Sequence, residues 1–261
     1  MNTNSEPPAV RPDPLTITFV DASYLPLLEL WLPRLAQLGV ERVKVFCLDA
    51  TTLQWCKSRG VSAAQVDWTG NLRDLWVRRI QVFSELLAAG EEFVHSDIDA
   101  IWIRNPLRTG SAVGRDEDLV FSQGTVWPPD VHDQWGFVLC CGWFRVRPTL
   151  AAQAFFQGLE EDVMQTGDDQ ISVNRLLSVL GARWSHGRTG EYQLGFRERQ
   201  VQCWTRAVRA ETTAGPLSVA LLPQREFQRL PESSEHAIVK HYLTPKNCAQ
   251  KLQALREHGL I

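Results

Sequence analysis

The chain has 261 residues and a formal net charge of −3, from Lys+Arg 27 against Asp+Glu 30. That balance gives no basic excess for non-specific nucleic-acid binding, and no apolar run approaches the roughly 18–20 residues of a membrane span. Hydrophobic residues at 44% and charged residues at 22% are those of a globular protein able to bury a full core.

The opening segment, MNTNSEPPAVRPDP, carries four prolines and no apolar stretch of the kind a secretory signal needs. Residues 1–14 are expected to be a disordered tail and residues 15–261 a single domain. A cytoplasmic location is expected. The six cysteines (47, 56, 140, 141, 203 and 248) contain no CxxC and no zinc-type spacing, so reduced thiols are expected rather than a disulfide scaffold.

Strands and helices then alternate. Leu15–Asp21 reads as a buried strand. Tyr24–Leu38 reads as a helix, with Leu27, Leu28, Trp31, Leu35 and Leu38 on one face. Arg42–Asp49 is a second strand, followed by a helix that closes at Gly60. Ala63–Trp68 is a short third strand. Asn71–Ala89 is a long helix stopped by Gly90, and Phe93–His95 a fourth strand. This order predicts an α/β fold with a mostly parallel sheet flanked by helices. Ligands of such sheets bind beyond the carboxyl ends of the strands. Asp21, Asp49 and Ser96–Asp97 all sit there. In the second half, residues 118–123, 137–148 and 219–223 look like strands. Helices at Leu150–Gln165 and Asp169–Leu180 separate the later ones, and mixed pairing is expected.

The sharpest local feature is FVHSDIDAIWIRNPL, Phe93–Leu107. Asp97 and Asp99, at i and i+2 on an extended chain, would project to one side. Two carboxylates that close raise each other's pKa unless a cation holds them. A hard divalent ion, Mn²⁺ or Mg²⁺, suits oxygen donors. The competing explanation is a solvated acidic turn. Near Asp168–Asp169 the pattern predicts a helix start, with Asp168 as the expected cap and Asp169 as the alternative. His95 reads as a structural residue.

In this order of motifs the chain resembles the nucleotide-diphospho-sugar transferases of the GT-A fold. The likeness is to plant cell-wall xylosyl- and galactosyltransferases, and more loosely to glycogenin-like and lipopolysaccharide galactosyltransferases. Five stretches carry it: ELLAAGEEFVHSDIDAIWIRNPL, GWFRVRPT, DDQISVNRLL, KHYLTPK and FVDASYLPLL. The resemblance implies a Rossmann-like GT-A domain and transfer of a hexose or pentose from a UDP-sugar, with retention. It implies Asp97 and Asp99 at a Mn²⁺ (or Mg²⁺) ion, Asp97 also at the ribose, and His241 as third ligand. Lys246 would face the leaving diphosphate, and Arg79 the nucleotide or sugar. Asp21 and Tyr24 would hold the base. Asp169 and Gln170 would be the catalytic pair at the sugar, with Trp127, Trp135 and Trp143 flanking the acceptor side. The acceptor, whether glycan, metabolite or protein, is not specified by the sequence.

Two departures stand out. The family's N-x-G-F-F strand reads Cys140-Cys141-Gly142-Trp143-Phe144 here, and the His241-to-Lys246 interval differs from the glycogenin-like H-x-x-G-x-x-K spacing. A non-catalytic nucleotide-sugar-binding relative and a metal-dependent phosphohydrolase are the alternatives.

Overall fold

The computed structural model describes residues 12–186 and 188–261. Most of the expected tail, residues 1–11, lies outside them. Of the remainder, Asp13 is tied down: its carbonyl accepts from Arg42 and its carboxylate pairs with Arg108 at 3.1 Å.

The first half alternates as the periodicity predicts. It runs β1 (Leu15–Val20), α1 (Leu25–Gln37), β2 (Val43–Cys47), α2 (Ala50–Ser58), β3 (Ala63–Gln65), α3 (Leu72–Ala88), β4 (Phe93–Ser96) and β5 (Ile101–Trp102). The second half is β6 (Leu119–Gln123), α4 (Pro129–Trp135), β7 (Leu139–Val146), α5 (Leu150–Thr166), α6 (Asp169–Val179) and β8 (Arg183–Trp184). The chain closes with β9 (Tyr192–Phe196), β10 (Arg199–Cys203), β11 (Val208–Glu211), β12 (Ser218–Leu221), β13 (Phe227–Gln228), β14 (Val239–Lys240) and α7 (Cys248–Glu257).

Nine strands form one sheet in the order β3-β2-β1-β4-β7-β6-β12-β11-β8. The β3, β2, β1 and β4 pairings are parallel, as helical crossovers require. β7 inserts antiparallel between β4 and β6, while β12 pairs parallel with β6. The sheet is therefore mixed and mostly parallel, as expected. Two smaller sheets were not legible beforehand: the β9–β10 hairpin, and β13-β14-β5.

Helices cover both faces. On one, Ile80, Phe83 and Leu87 of α3 pack with Phe155, Phe156 and Leu159 of α5 against Phe93, Phe121 and Phe144. On the other, Leu27, Leu28, Trp31 and Leu35 of α1 meet Trp102, Trp143 and Leu255. Strand alternation assigns neighbouring residues to opposite faces. Phe144 thus joins the first cluster and Trp143 the second, and each such buried ring contributes about 1.5–3 kcal/mol. His95 falls on the α3 face, tilted against Phe144 at 5.1 Å between centroids, which brings it beside Arg79. No described helix is long and apolar enough to cross a membrane.

Candidate active site

The carboxyl ends of β1, β2 and β4 are built around aspartates. Asp21 accepts from the Ser23 backbone N–H at 2.8 Å and starts a short 3-10 turn over Ala22–Tyr24. Asp49 caps α2, accepting from Thr52 N–H and also from Ala22 N–H, each at 2.7 Å. One carboxylate so joins the end of β1 to the start of α2. The cap offsets unpaired helix N–H groups, which is why the chain turns there.

Beyond β4 the chain does not stay extended. Asp97 opens a turn closed by the Ala100 N–H donating to the Asp97 carbonyl at 3.0 Å. The expectation of an extended i, i+2 pair is corrected here. The turn, and not the strand pleat, brings Asp97 and Asp99 to a common side. The Asp97 N–H donates to the Gly142 carbonyl at 2.8 Å, which anchors the turn to β7.

His241 arrives from the far end of the chain. It follows β14, where its N–H donates to the Gln228 carbonyl at 2.8 Å and its carbonyl accepts from Arg229 at 2.7 Å. Its Nε2 lies 3.4 Å from Asp99 Oδ1 and 3.8 Å from Asp97 Oδ2. Among the described residues, Asp97, Asp99 and His241 can each direct one ligand atom to a common point, those atoms lying within 4.8 Å of one another. The cradle depends on Gly142, because a methyl group there would overlap the His241 ring and crowd Asp97. Two carboxylate oxygens and one imidazole nitrogen fit a hard to borderline divalent ion such as Mn²⁺.

The charges are balanced from the protein side. Asp97 is 36% exposed at its side chain and Asp99 10%. Burial would raise Asp99, but His241 and Lys251 outweigh it and hold the carboxyl well below its usual range. Burial and Arg229 press His241 toward neutrality. The Asp99 charge and hydrogen bond overcome them, and the imidazole rises to about 9. A divalent ion at Nε2 must displace that proton. If these three residues hold Mn²⁺, its apparent affinity should therefore rise about tenfold per pH unit from pH 6 to pH 8, below the raised pKa. Calorimetry in buffers of different ionisation enthalpy should count one proton released; a count of zero would contradict it.

Behind this group lies a second, buried one. Arg79 of α3 is 4% exposed. Its guanidinium is 3.3 Å from Asp169 Oδ2 and 3.8 Å from Asp97 Oδ1, and it donates to His95 at 3.1 Å. It stacks on Trp76 at 4.8 Å, an arrangement the planar guanidinium favours. Burial and Arg79 hold His95 well below its usual pKa, so it is neutral. Asp168 caps α6 by accepting from the Ile171 N–H at 2.8 Å, which leaves Asp169 to point inward. Burial raises Asp169 to about 6 against the pull of Arg79, with Asp168 and Asp97 adding to the rise.

The remaining candidates are more peripheral. Gln170 donates its amide to the Trp127 carbonyl at 2.8 Å. Tyr24 donates its hydroxyl to the Lys246 carbonyl, and the Lys246 side chain is exposed with no ion pair to the acidic group. Trp127 is exposed, whereas Trp135 and Trp143 are buried in the two cores.

Several groups at the site escaped the sequence reading. Lys251 of α7 pairs with Asp99 Oδ2, and Thr244 donates to the same oxygen at 3.2 Å. Cys140 Sγ is 3.8 Å from His241 Nδ1. Burial would raise this thiol, but Arg229 and His241 bring it below its usual pKa. A signal for α7 existed in the Asn247 cap and the Leu252/Leu255 spacing; nothing in the sequence tied Lys251 to Asp99.

A model of the nucleotide-diphospho-sugar transferase family matches residues 38–253. Arabinosyltransferase XEG113 of Arabidopsis thaliana is 22% identical over 178 residues, covering 62% of this chain and 27% of its own length. This chain thus spans about a quarter of that relative. Among solved structures, galactosyltransferase LgtC in complex with donor and acceptor sugar analogs superposes with a TM-score of 0.51 at 12% identity, covering 94% of each chain. Glycosyltransferase GlyE of Streptococcus pneumoniae TIGR4, in its apo form, gives a TM-score of 0.46 at 11% identity, over 64% of this chain and 44% of its own. With the mixed sheet and the acidic turn at the end of β4, the family match leads to one conclusion: this chain belongs to the nucleotide-diphospho-sugar transferase family and has the GT-A glycosyltransferase fold.

Proposed function

We propose that residues 15–261 form a metal-dependent glycosyltransferase that moves a hexose or pentose from a UDP-sugar to an acceptor hydroxyl, with retention. The observation that carries this reading is the meeting of Asp97, Asp99 and His241 beside the buried Arg79–Asp169 pair. A divalent ion held by the first three would act as a Lewis acid on the leaving diphosphate.

The protein's own groups would do the rest. Asp21 and Tyr24, at the end of β1, are assigned to the base, and Asp97 also to the ribose. Lys251 is the ammonium nearest the acidic group and, with Lys246 on the exposed strap before it, would add positive charge at the diphosphate. Arg79 would orient the sugar and keep Asp169 in place. Asp169 and Gln170 face the side on which positive charge develops at the sugar, where a carboxylate or amide dipole is favourable. With its pKa at about 6, Asp169 is mostly ionised at pH 7.5 and so carries the charge this role needs.

The test is thermal shift with a panel of UDP-sugars and GDP-mannose, each with Mn²⁺ and with EDTA. A ligand that binds only the folded state adds about 2.7 kcal/mol of stabilisation at 100 Kd and so raises Tm. One UDP-sugar should raise Tm in Mn²⁺ and not in EDTA, and a screen of hydroxyl acceptors should then give a glycosylated product. Cleavage of the donor to UMP and sugar 1-phosphate would favour a phosphohydrolase, a donor shift with no product from any acceptor a non-catalytic nucleotide-sugar-binding relative, and no shift with any donor would overturn the transferase reading.

A further inference from the structure

Each of the three candidate ligands has a polar neighbour at the atom that does not face the common point, and Asp99 has the closest ones. Asp97 turns Oδ2 inward, while its Oδ1 meets Arg79 at 3.8 Å and His95 at 3.7 Å. Asp99 turns Oδ1 inward, while its Oδ2 takes Lys251 and the Thr244 hydroxyl. Lys251 also donates to the Thr244 hydroxyl at 2.8 Å, so the two act on that oxygen as a unit. His241 turns Nε2 inward, while its Nδ1 faces Cys140 Sγ, a sulfur that also accepts from the Gly142 N–H at 3.4 Å.

Partners on the outer atoms of metal ligands fix tautomer and rotamer, and their loss typically costs about 10–100-fold in metal affinity. We infer that Lys251, Thr244 and Cys140 are positioning residues for the divalent ion: the first two aim Asp99 Oδ1, and the thiol aims His241 Nε2. The inference rests on the metal-dependent reading above. It gives the Cys140 thiol a task beyond packing. It also makes the strap Thr244–Lys251, running into α7, part of the metal centre. Asp99 and His241 are thus oriented by different segments, the C-terminal strap and β7.

Lys251 provides a test by sign. An ammonium close to a bound cation repels it, so removing the charge alone would tighten metal binding. A positioning role predicts the reverse. Mn²⁺ binding to the full chain can be read from the free-ion EPR signal, with Tm measured in parallel. Lys251→Met, Thr244→Val and Cys140→Ala are each expected to weaken Mn²⁺ about 10–100-fold, the last two with little change in metal-free Tm and Lys251→Met with a lower one, because Asp99 loses a buried partner. Cys140→Ser, which keeps a donor and acceptor beside Nδ1, should recover most of the affinity.

Wild-type affinity in Thr244→Val and Cys140→Ala, or tighter binding in Lys251→Met, would overturn the inference. In the latter case Lys251 competes with the ion. Wild type that binds no Mn²⁺ at all would sink the metal-dependent reading and this inference with it, and the wild-type titration tells that failure apart from the others.

Discussion

Asp99→Asn is expected to lower sugar transfer by at least about a thousandfold, equivalent to about 4 kcal/mol of transition-state stabilisation, and to abolish measurable Mn²⁺ binding. Asp99 is the candidate ligand with the most invested in its orientation. His241, Lys251 and Thr244 all act on its two oxygens. The amide keeps the shape and one acceptor oxygen but loses the charge that attracts both the ion and the two cations. The Lys251 side chain is 12% exposed on the C-terminal helix α7, and its ammonium has only to turn outward to reach water, so the fold should survive, with a lower Tm than wild type. Free-ion EPR and a transfer assay on the same preparation check both halves. Retained Mn²⁺ binding with lost transfer would move Asp99 from the ion to another role. Retained transfer in EDTA would end the metal-dependent reading.

Arg79→Met should have the largest effect on stability. Arg79 is the buried cation between Asp169, Asp97 and His95. Removing one partner of a buried ion pair costs about 3–5 kcal/mol, because the other is left uncompensated. For a chain of this size that is a Tm loss of roughly 10 °C. The pH dependence follows from Asp169. Its folded-state carboxyl is already raised to about 6, above the unfolded value, and without Arg79 it rises further. A carboxyl raised in the folded state binds its proton more tightly there. Stability therefore falls as pH increases from about 4 through the folded pKa. The variant should regain Tm on moving from pH 7.5 to pH 5.5. The double variant Arg79→Met/Asp169→Asn should recover stability at pH 7.5 while remaining inactive. A double variant no more stable than Arg79→Met would show that the guanidinium acts mainly through its packing on Trp76, Phe19 and Phe83.

The parallel half of the sheet was legible because its signals are local. Helical spacing in Leu27–Leu35 and Ile80–Leu87, glycines after the helices, and aspartates at strand ends each depend on a few neighbouring residues. The same holds for Asp168, which caps a helix by bonding three residues ahead. The short strands β8 to β11 and β13 to β14 have no such mark. They are two to five residues long, and burial against distant partners decides their pairing.

The candidate site divides in the same way. The sequence by itself determined that two aspartates follow a buried strand at the ligand-binding edge of an α/β sheet, and the resemblance of its motifs pointed to His241, Arg79 and Asp169. Only the tertiary structure decided which atoms face one another. Lys251 meets Asp99 across 152 positions, Thr244 meets it across 145, and Cys140 meets His241 across 101. No periodicity reaches that far. Those contacts exist because β7 inserts antiparallel beside β4, bringing Gly142 under the Asp97 turn, and because the C-terminal strands add to β5 and return the chain over the sheet edge. Local pattern can encode a turn and its charges. The counter-charges come from segments that only the burial of two shared cores brings together.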